Sequence, residues 1–137
     1  MSKIRLGVLG GGGDSLIGVL HRVASFMYDR FEIVGGVFNP NYDENIKFAK
    51  QIGISTERVY ENFDKFINEE AAKPESERME AVSVLTPNFL HFPMAKKLLE
   101  NGLHVICEKP LTTSLKEAKE LQAIQKEHKA IFARDNV

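Results

Sequence analysis

A run of four glycines, Gly10 to Gly13, follows an apolar segment near the start of the chain. Glycine loses more conformational freedom on folding than any other residue, so such a run needs a compensating role. Between a strand and a helix, glycines permit a tight turn and let a phosphate group approach the free N–H groups of the helix N-terminus. The run therefore predicts a pyrophosphate-binding turn, built on Gly10-x-Gly12 or on Gly11-x-Gly13.

The segments on either side of the glycines fit a dinucleotide site. Residues 4–9 form an apolar run typical of a buried strand, and residues 15–30 carry apolar side chains at helical spacing. The spacing departs from the usual G-x-G-x-x-G, because Ser15 stands where a third glycine is expected and Gly18 occurs later, which predicts a longer turn. Glycines that serve the turn only sterically remain the alternative. The candidate cofactor contacts at the start of this helix are Ser15, Leu16 and Ile17.

Further along the chain, apolar strand patterns alternate with amphipathic helical patterns. Strands are predicted at 31–38, 58–60, 81–85, 104–107 and 130–133, and helices at 43–51, 62–72, 89–101 and 114–129. Apolar strands between helices indicate a parallel sheet covered on both faces, and right-handed crossovers make it doubly wound. We therefore expect an α/β, Rossmann-like fold, with one domain over the 137 residues.

The end of the second predicted strand is the next place to look for a cofactor contact, because ligands of doubly wound sheets bind at the carboxyl ends of the strands. An acidic residue there would hold the adenosine ribose of NAD, and this chain has Asn39. Its amide can hydrogen-bond a ribose hydroxyl without repelling a 2′-phosphate. The expected cofactor is therefore NAD or NADP, with the preference open. Asp43 and Glu44 are expected to serve the first turn of the following helix instead.

Composition excludes several classes of partner. The 18 Lys and Arg residues nearly balance the 19 Asp and Glu residues, so we expect no nucleic acid and no anionic lipid as partner. No segment approaches the roughly 20 apolar residues of a membrane span, and no His, Cys and carboxylate spacing indicates a metal site. The single cysteine, Cys107, lies in an apolar run and is expected to be a buried thiol, which favours a reducing, cytoplasmic location.

Two motifs add specificity, TPNFLH at 86–91 and EKPL at 108–111. With them the chain resembles the Gfo/Idh/MocA oxidoreductases, the family of glucose-fructose oxidoreductase and inositol dehydrogenase, up to about Phe132. The resemblance implies an N-terminal NAD(P)-binding domain of an enzyme that transfers hydride between the nicotinamide and a sugar, polyol or related polyhydroxylated substrate. His91, in the first turn of a predicted helix, is expected to be structural.

The resemblance also implies roles for single residues. Lys109 would be catalytic, because the lysine of this motif lies at the nicotinamide and the substrate and can stabilise charge during hydride transfer. Thr86, Pro87 and Asn88 would line the nicotinamide ribose. Glu108 would orient the loop that carries Lys109.

Family members continue into a C-terminal substrate domain, whereas this sequence ends at residue 137. The chain alone is therefore expected to lack the substrate domain, to bind the dinucleotide and to be inactive. Association with a partner chain or as an oligomer is left open. Two other functions also stay open at this point: a non-catalytic nucleotide-binding or redox-sensing module that acts with a partner chain, and a purely structural α/β domain.

Overall fold

The computed structural model describes residues 3–12, 30–107 and 114–134. Its strands form one parallel sheet in the order β2-β1-β3-β4-β5. The strands are β1 (Ile4–Gly10), β2 (Phe31–Val37), β3 (Ala81–Leu85), β4 (His104–Cys107) and β5 (Phe132–Arg134). The helices are α1 (Tyr42–Gln51), α2 (Phe63–Ala72), α3 (Asn88–Glu100) and α4 (Leu115–His128), and Thr56–Arg58 forms a short 3-10 helix. The expected doubly wound α/β fold is confirmed, while residues 15–29 of the helix predicted at 15–30 lie outside the described residues.

Side-chain caps fix where three of the helices begin. Asn41 Oδ1 accepts from the Glu44 N–H at 3.1 Å, and Asn62 Oδ1 accepts from the Lys65 N–H at 2.9 Å. Ser114 Oγ does the same for α4. Each such cap stabilises its helix by about 1 kcal/mol. The helices predicted at 62–72 and 114–129 therefore begin one residue later than expected, because their first residue is the cap.

Two of the strand predictions, those at 58–60 and 130–133, need correction. Of the strand predicted at 58–60, only a single parallel bridge between Val59 and Gly36 is present, because a 3-10 helix takes up the chain as far as Arg58. The last strand begins at Phe132 rather than at 130. Lys129 ends α4 in the left-handed conformation, with φ 54°, and its neighbour Ala130 still bonds back to the helix.

Both faces of the sheet are covered by apolar side chains. Leu6 and Val8 of β1 pack into one cluster with residues of β2 and α1, whereas Leu9 packs into the other with residues of α2 and α3. Alternate residues of a strand point to opposite faces, so β1 is buried on both sides. The expected buried thiol is confirmed, since Cys107 is fully buried. In the described part of the chain, no helix has the length and apolarity to cross a membrane.

One carboxylate lies fully inside the fold. Glu70 of α2 accepts hydrogen bonds from Arg58 Nε and Nη2 at 3.1 and 2.5 Å, from the Tyr60 hydroxyl, and from the Met79 N–H at 3.0 Å. Burial by itself raises the pKa of this carboxyl, but the donors from Arg58, Tyr60 and Met79 outweigh it and lower the pKa of Glu70 below its ordinary value. The charged carboxylate thereby links α2 to two other segments. One segment precedes α2 and carries Arg58 and Tyr60, and the other precedes β3 and carries Met79.

Candidate functional site

A cleft of about 620 Å³ opens at the carboxyl ends of β1, β2 and β3. In the sheet, β2 pairs with one edge of β1 and β3 pairs with the other, so the strand order reverses at β1. Doubly wound sheets bind their ligands at such a point of reversal. The volume is that of an ordinary small-molecule pocket. The residues predicted from sequence that line it are Gly10, Gly11, Gly12, Asn39, Thr86 and Pro87.

The remaining predicted site residues divide into two groups. Asn88 is the first residue of α3, directly after the cleft-lining Pro87. The others lie outside the described residues: Gly13, Ser15, Leu16, Ile17, Glu108 and Lys109.

Backbone atoms of the glycine turn lie close to backbone atoms at the end of β3 and just after it. Gly10 and Gly11 have φ angles of 81° and 71°, a conformation that costs other residues about 1–2 kcal/mol. A Cβ on Gly10 would lie 2.8 Å from the Leu85 oxygen and 3.0 Å from the Thr86 nitrogen. Glycine at this position therefore lets two walls of the cleft touch, and the sequence alone did not indicate this contact.

Gly12 makes the corresponding close approach to the segment after β2. A Cβ there would lie 2.8 Å from the Phe38 oxygen, a distance that real Cβ atoms do not adopt. The turn thus runs across the cleft with no side chain from Gly10 to Gly12. A surface of bare backbone is what a pyrophosphate needs in order to reach main-chain N–H groups, so the residues present fit a dinucleotide.

The segment after β2 is shaped by asparagines. Asn39 is half-buried, and its Oδ1 accepts from the Asn41 N–H at 2.9 Å. The amide nitrogen of Asn39 is a hydrogen-bond donor, the group that a ribose hydroxyl would accept from. Asp43 and Glu44 lie in the first turn of α1, as expected from the sequence.

The segment Thr86-Pro87-Asn88, named the TPN segment below, is held in place by a hydrogen bond from His91. This histidine is fully buried, and its Nε2 donates to the Thr86 carbonyl at 2.8 Å. The Thr86 hydroxyl in turn lies 3.4 Å from Met94 Sδ. The structural role expected for His91 is confirmed, and the ring fixes the backbone of a residue that lines the cleft.

The sequence did not predict a fourth wall of the cleft, formed by residues 61–63. Glu61, Asn62 and Phe63, around the start of α2, also line the cleft. Glu61 also forms an ion pair with Lys65 at 3.4 Å. The strand predicted at 58–60 was the available signal, because residues that follow a parallel strand reach the same edge of the sheet.

Comparison with known proteins agrees with this geometry. Residues 4–135 match the model of the GFO_IDH_MocA oxidoreductase family, NAD-binding Rossmann fold. The oxidoreductase YfiI of Bacillus subtilis is 34% identical over 88% of this chain, and the glucose-6-phosphate 3-dehydrogenase of the same organism is 32% identical over 83%. The structure of an inositol dehydrogenase homologue from Azotobacter vinelandii, complexed with NADH and myo-inositol, superimposes with a TM-score of 0.91 and 36% identity over 97% of the chain.

The match covers only part of these relatives. It spans 30% of YfiI, 28% of the glucose-6-phosphate 3-dehydrogenase and 35% of the inositol dehydrogenase homologue, or about a third of each. The family match, in contrast, covers nearly all of this chain. The chain therefore belongs to the Gfo/Idh/MocA family of oxidoreductases, as an NAD-binding Rossmann domain.

Proposed function

We propose that the chain holds NAD(H) or NADP(H) in the cleft described above and serves hydride transfer in an oxidoreductase. The observation that carries the proposal is the side-chain-free turn from Gly10 to Gly12, which closes against backbone of the segments after both β2 and β3. Backbone N–H groups at such a turn bind a pyrophosphate without any cationic side chain.

The two halves of the dinucleotide would then lie on either side of the turn. We assign the pyrophosphate to the glycines and to residues 15–17, where the sequence predicts the start of a helix, and the adenosine ribose to Asn39. The nicotinamide ribose would lie against Thr86, Pro87 and Asn88. The short distances between these three segments at Gly10 and Gly12 support one continuous ligand.

The chemistry that we assign to an oxidoreductase containing this domain is oxidation or reduction of a polyhydroxylated compound. When bound, the nicotinamide ring supplies the hydride acceptor or donor. We assign to Lys109 a hydrogen bond to the substrate oxygen, which would stabilise the charge that develops there, and to Glu108 the orientation of the loop. The names of the relatives support a sugar or polyol as substrate. Association with a partner chain and a cytoplasmic location stay predictions.

Titration with NADH and with NADPH, followed by nicotinamide fluorescence, tests the binding half of the proposal. Saturable binding of at least one coenzyme, displaced by ADP-ribose, is the expected result. Absence of binding by both at millimolar concentration contradicts it. Coenzyme reduction by an oxidoreductase that contains this domain, assayed with sugars and polyols, tests the chemical half.

Changing Asn39→Asp is expected to move coenzyme preference towards NADH. A carboxylate accepts from ribose hydroxyls and repels a 2′-phosphate, so the ratio of the NADPH Kd to the NADH Kd should rise about tenfold. The two titrations measure this ratio. Asn41→Asp is the matched control, because Asn41 caps α1 rather than lining the cleft, and aspartate is an equally good cap. An unchanged ratio in Asn39→Asp would place the ribose elsewhere.

A further inference from the structure

A buried asparagine lies directly behind the cleft and is not part of its lining. Asn45 of α1 is 0% exposed. Its Oδ1 accepts from the Phe38 N–H at 2.8 Å, and its Nδ2 donates to the Tyr60 carbonyl at 2.8 Å. One side-chain amide thus joins the backbone of two segments that are distant in sequence.

Both of these segments continue directly into walls of the cleft. Phe38 precedes Asn39, and its carbonyl oxygen is the atom that a Cβ on Gly12 would meet at 2.8 Å. Tyr60 precedes the wall formed by residues 61–63. Asn45 therefore sets the separation between the segment after β2 and residues 61–63, two walls on the side of the cleft assigned to adenosine. It also sets how closely the segment after β2 approaches the glycine turn.

Tyr60, one of the two residues that Asn45 joins, is held in place by several other contacts. Its N–H donates to the Gly36 carbonyl at 3.0 Å, its hydroxyl donates to Glu70, and its ring packs edge-on against Phe66 at 5.6 Å. Phe38 has an apolar ring contact, to Phe48 at 5.2 Å. The amide of Asn45 thus holds the segment after β2 to a point that is anchored in several directions.

An asparagine is suited to this position by its chemistry. The two backbone groups require one acceptor and one donor on a single short side chain. Aspartate has no donor when ionised, and leucine of similar size has neither group. A buried backbone N–H or carbonyl that loses its partner is costly, so the loop has to move when the amide is removed.

We propose that Asn45 is a positioning residue for the adenosine half of the dinucleotide, holding Phe38 and Asn39 at the distance from Gly12 that the bound ribose and pyrophosphate require. The inference rests on the proposed function, since it concerns how the same cleft is kept in shape. Asn45 itself touches no ligand.

The test compares Asn45→Leu with the unmodified chain by titration with NADH and with ADP-ribose. Because the effect is on the half that both ligands share, both Kd values are expected to rise by the same factor, about tenfold. Asn45→Ser keeps one hydroxyl that can bond to one of the two segments. It is the variant to titrate if Asn45→Leu does not fold, and it is expected to weaken the binding of both ligands about threefold.

Leu121→Ala is the control for loss of stability without loss of positioning. Leu121 is buried in α4 and does not line the cleft, so its truncation lowers the melting temperature and leaves both Kd values unchanged. Asn45 variants that bind as tightly as the unmodified chain, or that weaken NADH but not ADP-ribose, overturn the inference. The same holds if Leu121→Ala weakens binding as much as Asn45→Leu. If the unmodified chain binds neither ligand, the proposed function itself fails.

Discussion

Gly12→Val is expected to weaken dinucleotide binding about a hundredfold or more, which corresponds to roughly 2.7 kcal/mol. The new Cβ would lie 2.8 Å from the Phe38 oxygen and 3.1 Å from the Phe38 Cβ, so the turn and the segment after β2 have to separate. The branched side chain would also cover the backbone surface assigned to the pyrophosphate. Loss of NADH binding by fluorescence titration is the measurement, together with urea unfolding.

A second glycine provides the matched control. Gly102 has φ 78° and no atom within 4 Å of the position of a Cβ. Gly102→Val therefore strains the backbone and lowers stability, but it leaves the cleft intact. Gly12→Val is also expected to lose some stability, because Phe38 has to move. Only the Gly12 variant should lose affinity, and retention of NADH binding within about threefold would count against the assigned turn.

Glu70→Gln is expected to lower the free energy of unfolding by about 3 kcal/mol, the cost typical of removing one partner from a buried ion pair. Glu70 is fully buried and accepts hydrogen bonds from Arg58, Tyr60 and Met79. The amide of a glutamine would place its own N–H donors against some of these three donors, and those hydrogen bonds would be lost. Urea unfolding measures the loss. Glu69→Gln, at an exposed position of the same helix, should change stability by less than about 0.5 kcal/mol.

The effect of Glu70 is expected to depend on pH in a definite direction. Because the pKa of Glu70 is lowered in the folded protein, its carboxylate stabilises the fold fully above the ordinary carboxyl pKa of 4.5. That stabilisation declines as the pH falls below 4.5 towards the folded-state pKa. The difference between the unmodified chain and Glu70→Gln should therefore shrink in acid. A difference that stays constant down to the lowest pH at which the chain folds would contradict the assigned charge.

The elements that the sequence predicted well are those whose pattern is local. The strand at 81–85 and the strand at 104–107 were predicted with their observed bounds, because short apolar runs bounded by turn residues are legible without tertiary information. The segment at 58–60 was harder, since its single bridge to Gly36 depends on an approach of two segments that no local pattern encodes.

The cleft was predictable only in part for the same reason. Glycines after a strand indicated the turn, and the family motifs indicated the TPN segment. Asn45 and Glu70 are polar residues within amphipathic helices, and such residues ordinarily face solvent. Only the three-dimensional register places Asn45 between Phe38 and Tyr60, and Glu70 beside Arg58.

The most direct test of the central claim follows the backbone amides of the turn by NMR as NADH is added. If these N–H groups bind the pyrophosphate, the amide signals of Gly10, Gly11 and Gly12 shift in a saturable way. Gly53 and Gly102, which follow helices and do not line the cleft, serve as internal references that stay in place. Saturating NADH that leaves the three turn signals unmoved, or moves the reference signals as much, would contradict the proposed binding of the dinucleotide at this turn.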